Sequence, residues 1–245
     1  MPGTYRRIYL DFNASTPVAP EVIDAMRSVL EEPYGNPSSG HWAGSPAKEA
    51  VDNARMQVAD LLGCRGNEIV FTSGGSEANN HALKGVFFAS ATADAHIITS
   101  QVEHPAVINP CRFLERLGAT VTYLPVDGFG RVDPDDVRRA LRPTTVLISV
   151  MHANNEVGTI EPVEDIGQIA KEAGILLHSD AAQSIGKIDF TVRASALICY
   201  RSQVTSFTRR REWARSISAT VFLLNRSYTG RATNPAGELG QRVCC

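Results

Sequence analysis

The chain has 245 residues, 43% of them hydrophobic and 20% charged, with a net charge of −2. That length suits one sizeable α/β domain or an incomplete pair, and the near-neutral charge gives no pull toward nucleic acid or a membrane surface. No apolar run approaches a membrane span, the first 13 residues lack the apolar core of a signal peptide, and five cysteines without metal-ligand spacing fit a reducing cytoplasm better than a disulfide framework.

The first 189 residues alternate strand and helix signals. Tyr9–Asp11 reads as a short strand. Pro20 suits a first helical turn, and apolar residues at 22, 23, 26, 29 and 30 follow at helical spacing. Residues 45–63 form a second amphipathic pattern. Glu68–Thr72 reads as strand, 76–91 as helix, His96–Ser100 as strand and 105–117 as helix. Thr120–Val126 is strand, 133–141 helix, Thr144–Met151 strand, 163–174 helix and Ile175–Ser179 strand. This alternation predicts an α/β fold, a three-layer αβα arrangement with a mostly parallel sheet covered on both faces. Ligands in such sheets bind where strands end.

Four segments at strand ends draw attention. Phe71-Thr-Ser-Gly-Gly-Ser-Glu-Ala-Asn-Asn80 follows a strand and opens a helix, so Gly75 and Ser76 can offer backbone N–H groups to a phosphate. An ordinary strand–helix turn has the same composition. His104 follows the strand 96–100, and a structural histidine would sit there equally well. Asn154-Asn155-Glu156 follows the strand ending at Met151 and also suits turn chemistry. Asp180 closes a buried strand, where a carboxylate is costly unless paired, with Gln183 one turn on.

The spacing of these segments resembles that of the fold-type I pyridoxal-phosphate enzymes, most closely the cysteine desulfurase and selenocysteine lyase family of the class V aminotransferases. The stretches that carry the resemblance are Tyr9-Leu-Asp-Phe-Asn-Ala-Ser-Thr-Pro17, Gly35-Asn-Pro-Ser-Ser39, Thr72-Ser-Gly-Gly-Ser-Glu-Ala-Asn-Asn80, Val102-Glu-His104, Met151-His-Ala-Asn-Asn-Glu-Val-Gly158 and His178-Ser-Asp-Ala-Ala-Gln183. They run through nearly all of residues 8–189. The resemblance implies the large domain of that fold and the cofactor pyridoxal 5'-phosphate. Gly75 and Ser76 would hold its phosphate. His104 would stack on the pyridine ring and relay protons, and Asp180 would pair with the protonated ring nitrogen. Asn155 and Gln183 would lie near the phenolic oxygen, and Asn13 and Asn36 would face the substrate. It further implies removal of sulfur from cysteine, or selenium from selenocysteine, leaving alanine. A sulfur-acceptor protein, a role in iron–sulfur cluster biogenesis, a homodimer and a cytoplasmic location follow from the same resemblance. Another class V aminotransferase chemistry is the alternative within the superfamily.

The pattern breaks after residue 189. The family supplies a Gly-His-Lys box about one strand later, whose lysine forms the Schiff base. The lysines here are Lys48, Lys84, Lys171 and Lys187, and Lys187 comes too early in the wrong context. The family's arginine box and cysteine loop are also missing. Charge changes at the same place. Residues 1–189 carry 4 lysines and 11 arginines against 24 acidic residues, a balance of −9. Residues 190–245 carry 9 arginines, no lysine and two glutamates, a balance of +7. Codons read from the third base of one residue through the first two of the next restore the pattern. From Gln203 onward they permit Gly-His-Lys-Phe-Tyr-Ala-Pro-Lys-Gly-Val-Gly, with the lysine straddling Thr205 and Ser206. Ala194–Tyr200 permits Leu-Gly-Val-Asp-Leu-Leu, and Asn234–Arg242 permits an arginine box. The reading is a frame shift between Asp189 and Ala194. It divides the chain into an N-terminal segment (1–20), a cofactor-binding large domain incomplete at its C-terminus (21–189), and an out-of-frame, poorly packed tail (190–245). It makes the protein inactive as written, or alternatively a non-catalytic cofactor-binding relic or an unstable pseudogene product, and it works against the dimer.

Overall fold

Apolar residues on two opposite strand faces organise the molecule. The computed structural model describes residues 7–12, 15–32, 34–90, 92, 94–185, 187–188, 197–201 and 220–224. Two helices come first, α1 (Pro20–Glu31) and α2 (Gly44–Leu62). The loop between them passes so close to α2 that a Cβ on Gly35 would lie 1.8 Å from the Ala43 carbonyl oxygen, so only glycine fits there. The remaining helices are α3 (Gly75–Ala89), α4 (Pro105–Glu115), α5 (Pro134–Ala140) and α6 (Val163–Ala173). The strands are β1 (Ile69–Thr72), β2 (His96–Ser100), β3 (Thr120–Leu124), β4 (Thr145–Ser149), β5 (Leu176–Asp180), β6 (Leu197–Arg201) and β7 (Thr220–Leu224). They form one sheet in the order β1-β7-β6-β5-β4-β2-β3. β2 runs parallel to β3 and β4, β4 to β5 and β5 to β6, while β7 is antiparallel to both β6 and β1.

Successive strand residues point to opposite faces. Ile98, Ile148 and Leu177 pack against Val137 of α5 and Ile166 and Ile169 of α6. Ile97 and Leu147 pack against Leu83 of α3 and Val107, Cys111 and Leu114 of α4. Each such fully buried side chain contributes roughly 1.5–3 kcal/mol. The three-layer arrangement with a mostly parallel sheet is therefore the observed one. The same alternation turns Ser149, His178 and Asp180 toward the α3–α4 face, in step with Leu147 and Leu176.

Two expectations are corrected. Tyr9–Asp11 is not a strand: the Tyr9 hydroxyl donates to the Asp11 carbonyl at 2.7 Å and closes a local loop in place of a ladder. The sheet also does not stop at β5. Leu197–Arg201 continues it beside β5, and Thr220–Leu224 closes the interval to β1. Both runs are rich in β-branched, aromatic and long apolar residues, a composition that suits a pleated, half-buried position whatever its reading frame. The rest of the tail lies outside the described residues.

Candidate active site

The order β5-β4-β2 brings three strand ends side by side, and backbone ties stitch the loops that follow them. The His152 N–H donates to the Asp180 carbonyl at 2.9 Å, joining β4 to β5. The Met151 N–H donates to Glu103 Oε1 at 2.8 Å, and Asn154 Nδ2 donates to the Val102 carbonyl at 3.1 Å, joining β4 to β2. His104, Asn155 and Asp180 thus stand on three neighbouring loops fixed to one another. The Asn154 side chain also shapes the turn that carries Asn155, accepting from the N–H groups of Glu156 and Val157 at 2.8 and 3.0 Å. Gly158 completes that turn with φ +78°, a conformation side-chain-bearing residues rarely adopt.

Asp180 is the most elaborately held of these residues. Its Oδ2 accepts from Asn79 Nδ2 at 2.8 Å, and its Oδ1 from the Ala182 N–H at 3.0 Å. Asn79 Oδ1 meets His178 Nε2 at 3.1 Å, and His178 Nδ1 meets Ser149 Oγ at 2.8 Å. Asn79 is 1% exposed, His178 and Ser149 are fully buried, and Asp180 keeps 8% of its surface. The chain of bonds thus reaches solvent at Asp180. Burial pushes the His178 imidazole down to about 4, so the ring is neutral.

Asn79 lies one turn along α3 from Gly75 and Ser76. Those two residues occupy the first turn, whose N–H groups have no intrahelical acceptor, and no side chain caps it. Glu77 accepts from the Ser73 N–H at 2.5 Å and helps fix the turn. His104 is the residue before α4, and its Nδ1 accepts from the Ala106 N–H at 3.0 Å. A neutral His104 ring therefore carries its hydrogen on Nε2. Gln183 is half-buried, and its Oε1 accepts from Lys187 Nζ at 3.2 Å. Asn36 is exposed and accepts from the Ser38 N–H at 2.9 Å within its own loop. Asn13 lies outside the described residues.

Glu103 is a second buried carboxyl here. Its Oε1 accepts from Ser100 Oγ and the Met151 N–H, both at 2.8 Å, while Oε2 has no partner among the described residues. Burial, opposed by those two donations, pushes it up to about 8, so it is protonated at neutral pH.

Chemically, this arrangement offers anion-binding amides at the start of α3 and, bonded to Asn79 one turn along, a carboxylate able to accept a cationic N–H. Such a pair suits a phosphorylated, protonated aromatic heterocycle. The residues that sequence reasoning overlooked are Asn79, His178, Ser149 and Glu103. A signal existed for two of them: His178 and Ser149 are polar residues inside strands that the pattern requires to be buried, whereas Asn79 reads as an ordinary helix position and Glu103 lies in the loop after β2. A groove of ≈ 520 Å³ between α1 and α2, lined by Glu21, Ser28, Asn53 and Gln57, shares none of these residues. Among the described residues no cluster of metal-ligating side chains occurs, and no helix is long and apolar enough to cross a membrane.

Comparison with known proteins places this geometry. The class-V aminotransferase family matches residues 8–200. The chain is 54% identical over 187 residues to cysteine desulfurase IscS of Dictyoglomus turgidum, covering 76% of this chain and 48% of that protein. It is 50% identical over 188 residues to cysteine desulfurase IscS of Methanosarcina thermophila, covering 77% and 46%. The chain therefore spans about half the length of these relatives. Among solved structures it resembles SspA in complex with cysteine, with a TM-score of 0.83 and 37% identity over 96% of this chain and 67% of that one. It resembles a NifS-like protein equally well, with a TM-score of 0.83 and 34% identity over 96% and 64%. Class-V aminotransferases and cysteine desulfurases depend on pyridoxal phosphate. The chain belongs to the class-V aminotransferase family, and its relatives at high identity are cysteine desulfurases.

Proposed function

We propose that the chain forms the cofactor-binding part of a cysteine desulfurase-type protein and holds pyridoxal 5'-phosphate without a covalent link. The observation that carries this reading is Asp180, buried and doubly hydrogen-bonded at the end of β5, one helical turn from the open first turn of α3. The N–H groups of Gly75 and Ser76 bind the phosphate, helped by the positive end of the helix dipole. Asp180 would accept the ring N–H and favour the cationic ring. His104 would cover the ring, and its Nε2, the nitrogen not engaged by Ala106, would be free to move protons at the substrate. Asn155 and Gln183 would hydrogen-bond near the phenolic oxygen, and Asn36 would face the substrate. When bound, the cofactor supplies an electron sink for charge left on a substrate carbon.

The parent activity would take sulfur from L-cysteine, leave alanine and pass the sulfur to an acceptor protein, in the cytoplasm and in the service of iron–sulfur clusters. The chain as written does not complete it. Its four lysines do not include one in the family's box. Burial pushes the thiols of Cys64 and Cys111 up to about 11 and about 12, which makes both poor nucleophiles for carrying sulfur. The tail is read as out of frame from between Asp189 and Ala194. A non-catalytic cofactor-binding protein is the second reading, favoured by the same missing lysine.

DNA sequencing across codons 185–210 tests the frame, and one intact frame with no insertion or deletion against close relatives overturns it. The frame-restored protein should release sulfide from cysteine, and the present chain should release none. Sulfide from the present chain that disappears in Asp180→Asn would contradict the inactive reading.

A further inference from the structure

We propose that Asn79 is a positioning residue that fixes both the orientation of Asp180 and the tautomer of His178, so that one buried amide sets the protonation of whatever ring nitrogen Asp180 receives. The inference rests on the cofactor reading above for its ligand, but not for its geometry.

A carboxamide has two unlike ends, and the direction of each bond here follows from one fact. A carboxylate only accepts hydrogen bonds. The end of Asn79 that lies 2.8 Å from Asp180 Oδ2 is therefore the NH₂. The other end, 3.1 Å from His178 Nε2, is then the carbonyl, and it requires the hydrogen of the neutral ring to be on Nε2. His178 Nδ1 is left with a lone pair, so Ser149 Oγ, 2.8 Å away, must donate to it. Rotating Asn79 by half a turn would set its oxygen against the carboxylate and its NH₂ against an N–H. Two bonds would be lost at once, with no water to replace them because Asn79, His178 and Ser149 are all inaccessible. The register of β4 and β5, which pairs Ser149 with His178, anchors the far end of the chain. Asn79 also sits on the helix whose first turn carries Gly75 and Ser76. Movement at the anion-binding end of α3 is thereby felt at Asp180.

Two measurements on the full chain test this. The first needs no ligand: ¹⁵N NMR of labelled histidine should show His178 as the Nε2–H tautomer. An Nδ1–H tautomer overturns the inference whatever the cofactor does. The second uses pyridoxamine 5'-phosphate labelled with ¹⁵N in the ring, which cannot link to lysine. The wild type should bind it with the ring nitrogen protonated at pH 8. Asn79→Leu keeps the volume but not the hydrogen bonds. It should weaken binding by about tenfold or more and lower the ring-nitrogen pKa by about one unit. Asn79→Asp keeps the shape but sets an acceptor against Asp180, and should weaken it further. An unchanged ring-nitrogen signal and affinity in both variants overturns the proposal. Failure of the wild type to bind, with His178 still the Nε2–H tautomer, overturns the cofactor reading instead and leaves the clamp supported.

Discussion

The sheet holds a buried histidine at each end, and the two are built almost alike. At the amino ends of the strands, His96 Nδ1 faces Thr145 Oγ1 and His96 Nε2 faces Thr122 Oγ1, both at 2.8 Å. Thr145 Oγ1 also accepts from the Arg142 N–H at 2.8 Å. At the carboxyl ends, His178 is held likewise on both ring nitrogens, between Ser149 and Asn79. Burial depresses both imidazoles to about 4. The difference lies in what comes next. The His96 bonds lead through two hydroxyls to the Arg142 N–H and guanidinium at the amino ends of the strands, while the His178 bonds continue through Asn79 to a carboxylate at the carboxyl ends, where ligands bind in such sheets. A buried, neutral histidine is therefore no mark of function by itself; its connection to a group at the carboxyl ends of the strands is.

The largest effects should come from breaking the two histidines in parallel. His178→Leu removes one buried partner each from Asn79 Oδ1 and Ser149 Oγ, and His96→Leu one each from Thr145 Oγ1 and Thr122 Oγ1. Each should cost roughly 2–4 kcal/mol in urea unfolding. Only His178→Leu should also weaken pyridoxamine 5'-phosphate binding, by about tenfold or more. Equal loss of affinity in both variants would erase the distinction.

Glu103 sharpens the comparison from the β2 side. Glu103→Ala strips an acceptor from Ser100 and Met151 and should destabilise by about 2–3 kcal/mol. Glu103→Gln keeps that acceptor without the charge and should be at least as stable as the wild type above pH 7.

The pH dependence of stability follows from the same groups. His96 and His178 titrate near 4 in the fold and near 6.5 in the unfolded chain. Their contribution is present above pH 6.5 and is lost as the pH falls toward 4. Glu103, raised from 4.5 to about 8, works the other way: its contribution is present below pH 4.5 and is lost as the pH rises toward 8. Stability should therefore peak near pH 6.5. Above that it should fall by about 1.4 kcal/mol per pH unit, one proton's worth. Urea midpoints from pH 5 to 8.5 check this, and the descending limb should flatten in Glu103→Gln. The smallest effects should come from Ser149→Ala and Thr122→Ala, about 1 kcal/mol each, with affinity altered only in the first.

The layered fold was legible in the sequence because apolar periodicity and strand–helix alternation are local signals. That His104, Asn155 and Asp180 stand at or just past strand ends was legible because the strand boundaries are local signals too. Asn79 was not, because its partner is 101 residues away and the amide reads as an ordinary helix position. His178 and Ser149 become a pair only through the β4–β5 register. Tyr9–Asp11 has strand composition but a side chain that closes a loop instead. The two late strands were missed for the opposite reason: a break in family pattern does not remove strand propensity from Leu197–Arg201 or Thr220–Leu224.

The most direct test of the central claim, a cofactor cradle without its covalent lysine, is borohydride reduction of the full chain with pyridoxal 5'-phosphate, followed by peptide mass mapping. The account predicts cofactor binding that Asp180→Asn weakens and gel filtration reverses, with no stoichiometric adduct on Lys48, Lys84, Lys171 or Lys187. A one-to-one reduced adduct on a single lysine, abolished by Asp180→Asn, would contradict it.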